Sequence, residues 1–238
     1  MKPIGLIGGI SWHATVHYYS YINQAVNEHF GDNTNPPILI YNVNQSQMHQ
    51  YQKDGNWAAI SELILEAGRK LHNAGADMVF ICSNTTHKVY NEVQHQLRVP
   101  LLHMGDAVAE KIIQLGMTKV GFIGTIFGMN DPFLTDRIRS FGIEVILPET
   151  QETKEALHRI IHEELTYKKI FPESKQYIKD IIYDLKDKGA QAIILGCTEY
   201  SLILNNSDTE ITLLDTISIH AQKAVDFILE EADELAPA

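Results

Sequence analysis

The residues best equipped for chemistry gather in two short stretches, ICSNTTHK at 81–88 and LGCTEY at 195–200, which between them hold both cysteines of the chain, Cys82 and Cys197. A thiol titrates far closer to neutrality than a hydroxyl, so it can take or give a proton, and once ionised it is a nucleophile. In the first stretch the thiol of Cys82 has a hydroxyl beside it, Ser83, and only one of the two can face a ligand if the segment ends a strand. Neighbouring side chains of a strand point to opposite faces. A buried free cysteine commonly behaves as a small hydrophobe.

The elements that must position these groups are legible as an alternation. The apolar, β-branched runs KPIGLIG, PPILIYN, ADMVFICS, VPLLHM, KVGFIG, IEVILP, QAIILG and ITLLD read as strands. Between them Ile60, Leu63, Ile64, Ala67 and Leu71, and later Leu157, Ile160, Ile161 and Leu165, fall at helical spacing. Gly75, Gly116 and Gly189 stand where helices should stop, as glycines able to take positive φ. Such alternation predicts an α/β fold with parallel sheet.

The chain also repeats itself. KPIGLIGG at the start resembles KVGFIGT at 119–125, and GADMVFICSNTTH from 75 resembles GAQAIILGCTEYS from 189. Laying Gly75 on Gly189 gives an offset of 114, which carries Ser83 onto Cys197 and Cys82 onto Gly196. The serine, not the neighbouring cysteine, is therefore in register with the second thiol. Ligands of open α/β sheets bind outside the carboxyl ends of the strands, so a cleft between two half-domains, walled by SNTT and CTE, is the expected site.

Composition limits the partners. A net charge of -11 and a pI near 5.4 argue against nucleic acid, whose phosphates require a basic footprint. No run of about 18 apolar residues and no leader-like start are present, so neither a membrane partner nor export is expected, and the cytoplasm is the default. Two cysteines are too few for a disulfide framework. The run GLIGG lacks the spacing of a dinucleotide-binding loop, and His158 with His162 at i, i+4 in HRIIHEE lacks a third zinc ligand.

Taken in order, GLIGGISW with HYYSYIN behind it, CSNTTHK, GCTE and DTISIHA resemble the cofactor-independent aspartate/glutamate racemase family along nearly the whole chain. The resemblance implies two pseudo-symmetric Rossmann-like α/β domains with parallel sheets and the active site in the cleft between them. It places the domains at 1–103 plus 215–238, with a returning C-terminal helix, and 104–214. Each half of such an enzyme supplies one acid/base residue to a substrate α-carbon. Many relatives use two cysteines; here the positions are Ser83 and Cys197. In the family the second-half cysteine faces the α-hydrogen of the L-substrate, so Cys197 is expected to deprotonate it, with Ser83 or a water acting on the other face.

The same resemblance implies the binding residues. Asn84, Thr85, Thr86 and Thr198 would cradle the α-carboxylate with help from helix N-termini after SNTT and CTE, and Ser11, Trp12, Thr125 and Glu199 would line the site. His220 matches a position near the thiol and would lower its pKa. A distal carboxylate needs a cation, for which Lys53 is the leading candidate; Tyr167 stands where relatives carry a lysine, leaving Lys168 or Lys169 to substitute. Departures at His13, Ala14 and Gly128 bear on substrate rather than fold. His87 could tune the site or merely pack a helix. No pyridoxal phosphate or metal is implied, the substrate is a small amino acid, and a homodimer is expected. Two alternatives stay open: a single-cysteine decarboxylase of malonate type, and a binding protein with a degenerate site.

Overall fold

The computed structural model describes residues 1–230; residues 231–238, the end of the expected returning helix, lie outside the described residues. The chain forms two compact units, Met1–His103 joined by the return from Ile217, and Met104–Thr216. The exchange falls just after Thr216, whose hydroxyl donates to the Leu195 carbonyl at 3.0 Å within the second unit.

In the first unit, strands β1 (Ile4–Gly8), β2 (Ile38–Asn42) and β3 (Met78–Ile81) form a parallel sheet in the order β2-β1-β3. Helices α1 (Trp12–Phe30), α2 (Gln45–Lys53), α3 (Trp57–Asn73) and α4 (Tyr90–Gln94) connect and cover it. Every residue of β1 is buried, as a parallel strand covered on both faces requires. Helix α3 turns Ile60, Ile64, Ala67 and Leu71 into the core, where they pack with Ile7, Val79 and Ile81. Its end is a paired cap at Gly75, φ 102°: the Gly75 N–H meets the His72 carbonyl and the Ala76 N–H the Leu71 carbonyl.

The second unit holds α5 (Met104–Gln114), β4 (Lys119–Gly124), α6 (Ile126–Asn130), α7 (Phe133–Arg139), β5 (Glu144–Ile146), α8 (Gln151–Arg159), α9 (Pro172–Asp187), β6 (Ala192–Gly196) and β7 (Thr212–Asp215). Its sheet is again parallel, in the order β5-β4-β6-β7. The chain then leaves through α10 (Thr216–Leu229). The repeat read in the sequence is visible in the registers: Ile7 pairs with Ile81 as Ile123 pairs with Leu195. Ser83 and Cys197 thus follow equivalent strand positions.

Two expectations are corrected. VPLLHM is not a strand; only Leu101 bridges to Val79, since Pro100 has no N–H to offer a ladder and α5 begins at Met104. The apolar spacing from Leu157 to Leu165 does not continue one α-helix. After Arg159 the chain widens into a π-turn over Ile160–Glu164 and tightens into a 3₁₀ turn over Leu165–Tyr167, which keeps Leu157, Ile160, Ile161 and Leu165 buried while the backbone changes pitch.

Candidate active site

Within the first unit, β3 delivers Ser83. The Cys82 N–H still bonds to the Ile7 carbonyl at 3.1 Å, so the strand's alternation carries through it, and Cys82 is fully buried while Ser83 is partly exposed. Burial alone pushes the Cys82 thiol far above its ordinary range. The 3₁₀ turn Thr85–Val89 follows. Thr86, completely buried, donates its hydroxyl to Ser83 Oγ at 3.1 Å, and His87 Nδ1 donates to the Ser83 carbonyl at 2.7 Å. The serine oxygen is thereby an acceptor, leaving its own O–H to be given away.

Within the second unit, β6 delivers Cys197, extended at φ -145° and ψ 136°, ahead of the 3₁₀ turn Thr198–Leu202. Gly196, in the place of Cys82, admits no side chain, because a Cβ there would lie 2.2 Å from the Phe122 ring. The Cys197 thiol donates to Glu199 Oε2 at 2.9 Å, and the Thr198 hydroxyl donates to the same oxygen. Burial first, then the charge of Glu199 and its hydrogen bond, raise the thiol pKa well above the ordinary range; the backbone N–H groups of Glu199 and Thr198 pull it down. At rest the thiol keeps its proton.

Several assigned roles change. His220, expected to lower the thiol pKa, is fully buried, with Nε2–H donating to the Leu102 carbonyl at 3.2 Å and Nδ1 taking the Tyr18 hydroxyl at 2.6 Å. Burial, then His87, hold its pKa well below the imidazole range, so a neutral ring offers no charge to a thiolate. The Thr86 hydroxyl donates to Ser83 and the Thr198 hydroxyl to the Glu199 carboxylate, rather than to the α-carboxylate of a substrate. The helices after SNTT and CTE are five-residue 3₁₀ turns, whose dipoles are slight.

The other positions fall as follows. Asn84 is buried and Thr85 partly buried at the start of the turn in the first unit. Ser11 caps α1, accepting from the Ala14 N–H at 3.5 Å, and Trp12 is exposed beside His13. Lys53 ends α2 beside an open groove lined by Gln45, Ser46, His49 and Gln50. In the second unit Thr125 caps α6, accepting from the Gly128 N–H at 3.3 Å, and Lys168 is exposed in the left-handed region at φ 56°. Sequence reasoning passed over Tyr200, wholly buried three residues after Cys197, and His103, packed on His87. Among the described residues no group of three or more His, Cys, Asp or Glu is placed to hold a metal ion, and no helix is long and apolar enough to cross a membrane.

Two α/β units with parallel sheets, each following a strand with a proton-bearing side chain, Ser83 after β3 and Cys197 after β6, define a duplicated fold. The Asp/Glu/hydantoin racemase family model matches residues 7–224. The chain belongs to that family and is a racemase. A candidate Asp/Glu racemase of Yersinia pestis is 39% identical, with a TM-score of 0.92 over 96% of this chain and 100% of its own. An aspartate racemase homologue of Pyrococcus horikoshii OT3 is 32% identical, with a TM-score of 0.86 over 96% and 99%. The broad-specificity amino-acid racemase RacX of Bacillus subtilis (strain 168) is 24% identical over 166 residues, 70% of this chain and 71% of RacX.

Proposed function

We propose that the protein racemises aspartate or glutamate by direct proton transfer without pyridoxal phosphate, Cys197 removing the α-hydrogen of the L-enantiomer and Ser83 or a bound water returning a proton on the other side. The observation that carries this reading is the Cys197–Glu199 pair. A protonated thiol is no base, yet its proton already points at a carboxylate oxygen. Passing it to Glu199 leaves a thiolate beside two backbone N–H groups that favour the anion. The thiolate then takes the α-hydrogen, and the carbanion's charge is spread into the substrate carboxylate.

Ser83 suits the complementary step. Its oxygen accepts from Thr86, so its hydroxyl proton is the one it can deliver, whereas serine is a poor base unless another group takes that proton. Initial rates from L should therefore exceed those from D under saturation, while the equilibrium stays near unity. For the substrate, the dicarboxylates are favoured by the names of the two relatives above 30% identity, with Lys53 and Lys168, both exposed, as partners for a distal carboxylate. Asn84, Thr85, Ser11, Trp12 and Thr125 are assigned to substrate binding on the family resemblance. The need for a free thiol supports a reducing cytoplasm. Half-exposed Trp12, Val16 and Tyr19, one face of α1, support a homodimer.

The test is proton NMR in D₂O with both enantiomers of aspartate, glutamate and several neutral amino acids, alongside chiral analysis. Inversion with α-hydrogen loss, abolished in Cys197→Ala, is the expected result. Inactivity toward every amino acid would sink the proposal.

A further inference from the structure

Ser83 rests on a buried group of rings that the proton-transfer chemistry does not itself use. His87, 2% exposed, bonds to the Ser83 carbonyl through Nδ1 at 2.7 Å. Because a carbonyl only accepts, Nδ1 carries the hydrogen. The ring of His87 lies edge-on to His103, centroids 4.9 Å apart, and to His220 at 5.6 Å. His220 is fixed in turn: Nε2–H donates to the Leu102 carbonyl, so its Nδ1 must accept from the Tyr18 hydroxyl. Side chains from α1, the 3₁₀ turn, the segment before α5 and α10 thus lock one imidazole against the loop that carries the serine.

The bond matters because of where Ser83 stands. It has left the β-ladder: its own N–H turns back to the Ile81 carbonyl at 2.9 Å, and the last ladder bond belongs to Cys82. Two side-chain bonds therefore orient it, Thr86 at the hydroxyl and His87 at the carbonyl.

We propose that His87 is a positioning residue for proton transfer at Ser83, its Nδ1–H holding the Ser83 carbonyl so that the hydroxyl keeps its direction toward the α-carbon. The proposal rests on the reading of Ser83 as the second proton-transfer group. A displacement of about 1 Å can cost roughly 100-fold in rate, so one backbone bond suffices to matter.

Two substitutions separate the bond from the packing. His87→Phe keeps a ring among His103 and His220 and loses the donor; His87→Asn loses the ring and keeps an N–H near the place of Nδ1. With a weakened Ser83 step, the α-deuterium isotope effect on kcat/KM shrinks toward its equilibrium value from the L-substrate and grows to its full value from the D-substrate. His87→Phe should show that opposed change with kcat lowered about tenfold or more, and His87→Asn should restore much of both. A role in packing alone reverses the order: Phe retains activity and Asn loses it, with neither isotope effect shifted, and that would overturn the proposal. Should His87→Phe not fold, His87→Asn decides by itself, since substantial activity in a variant without the ring supports the bond and its loss opposes it. Absence of racemisation by the parent protein would remove the underlying reading and the proposal with it.

Discussion

Cys197 and Glu199 face each other as donor and acceptor, Sγ to Oε2 at 2.9 Å, two residues apart at the mouth of one strand. The carboxylate acts on the thiol in two opposing ways: it can take the proton, yet its charge helps hold the thiol's pKa up. Replacing Glu199 by Gln separates them. The thiol of E199Q should alkylate at lower pH than that of the parent, because the raising charge is gone, while racemisation falls roughly 100-fold for want of a proton acceptor. Iodoacetamide rates against pH, with peptide mapping to show that buried Cys82 stays unlabelled, supply the check. An unchanged alkylation profile would remove Glu199 from the mechanism.

Tyr200 gives a prediction about stability. Its hydroxyl is completely buried and has no hydrogen-bond partner among the described residues, and burial pushes its pKa well up. An unsatisfied buried hydroxyl costs about 1–3 kcal/mol, so Tyr200→Phe should raise unfolding stability by roughly 1 kcal/mol. Denaturant titration at neutral pH tests this; a loss of stability would mean the hydroxyl is satisfied in solution.

Two histidines set the acid limb of stability, His220 fully buried and His158 partly buried. His220 in the folded protein is held well below the unfolded value by burial first and then by His87, and His158 is lowered by burial and then by His162. Below about pH 6.5 the unfolded chain binds protons that these folded rings refuse, so stability is present above that pH and is lost as pH falls. His220 alone contributes a slope of up to about 1.4 kcal/mol per pH unit in that window. Melting temperatures measured from pH 7.5 down to pH 5 should fall, and His220→Phe should flatten the decline even if it melts lower throughout.

Much of this was readable from residues. The offset that lays Ser83 on Cys197 is the register of the two sheets, since β-branched runs and helix-stopping glycines are local signals with a fixed period. The reading of the rest failed where tertiary partners decide. Nothing local distinguishes His220 as a neutral core ring bonded to Tyr18, 202 positions earlier, from a cation beside a thiol. Nor does the spelling of SNTT reveal that Thr86 turns inward to Ser83, or that of CTE that Thr198 turns to Glu199.

The asymmetry between a serine and a thiol leads to the last prediction. Ser83 receives a hydrogen bond from Thr86, an arrangement that a sulfur at the same position could also accept, and the site is partly exposed rather than closed by packing. Ser83→Cys therefore installs a second titratable base with little change of shape. Because a thiol ionises several pH units below an alcohol, the step that gains is proton removal from the D-enantiomer. The turnover number starting from D-substrate should rise about tenfold or more, and that from L much less, while the final L:D ratio stays near one. Chiral chromatography of reactions begun from each pure enantiomer reads all three quantities. No rise from either enantiomer would mean that Ser83 is not the group that acts on the D-substrate and that a water fills that role.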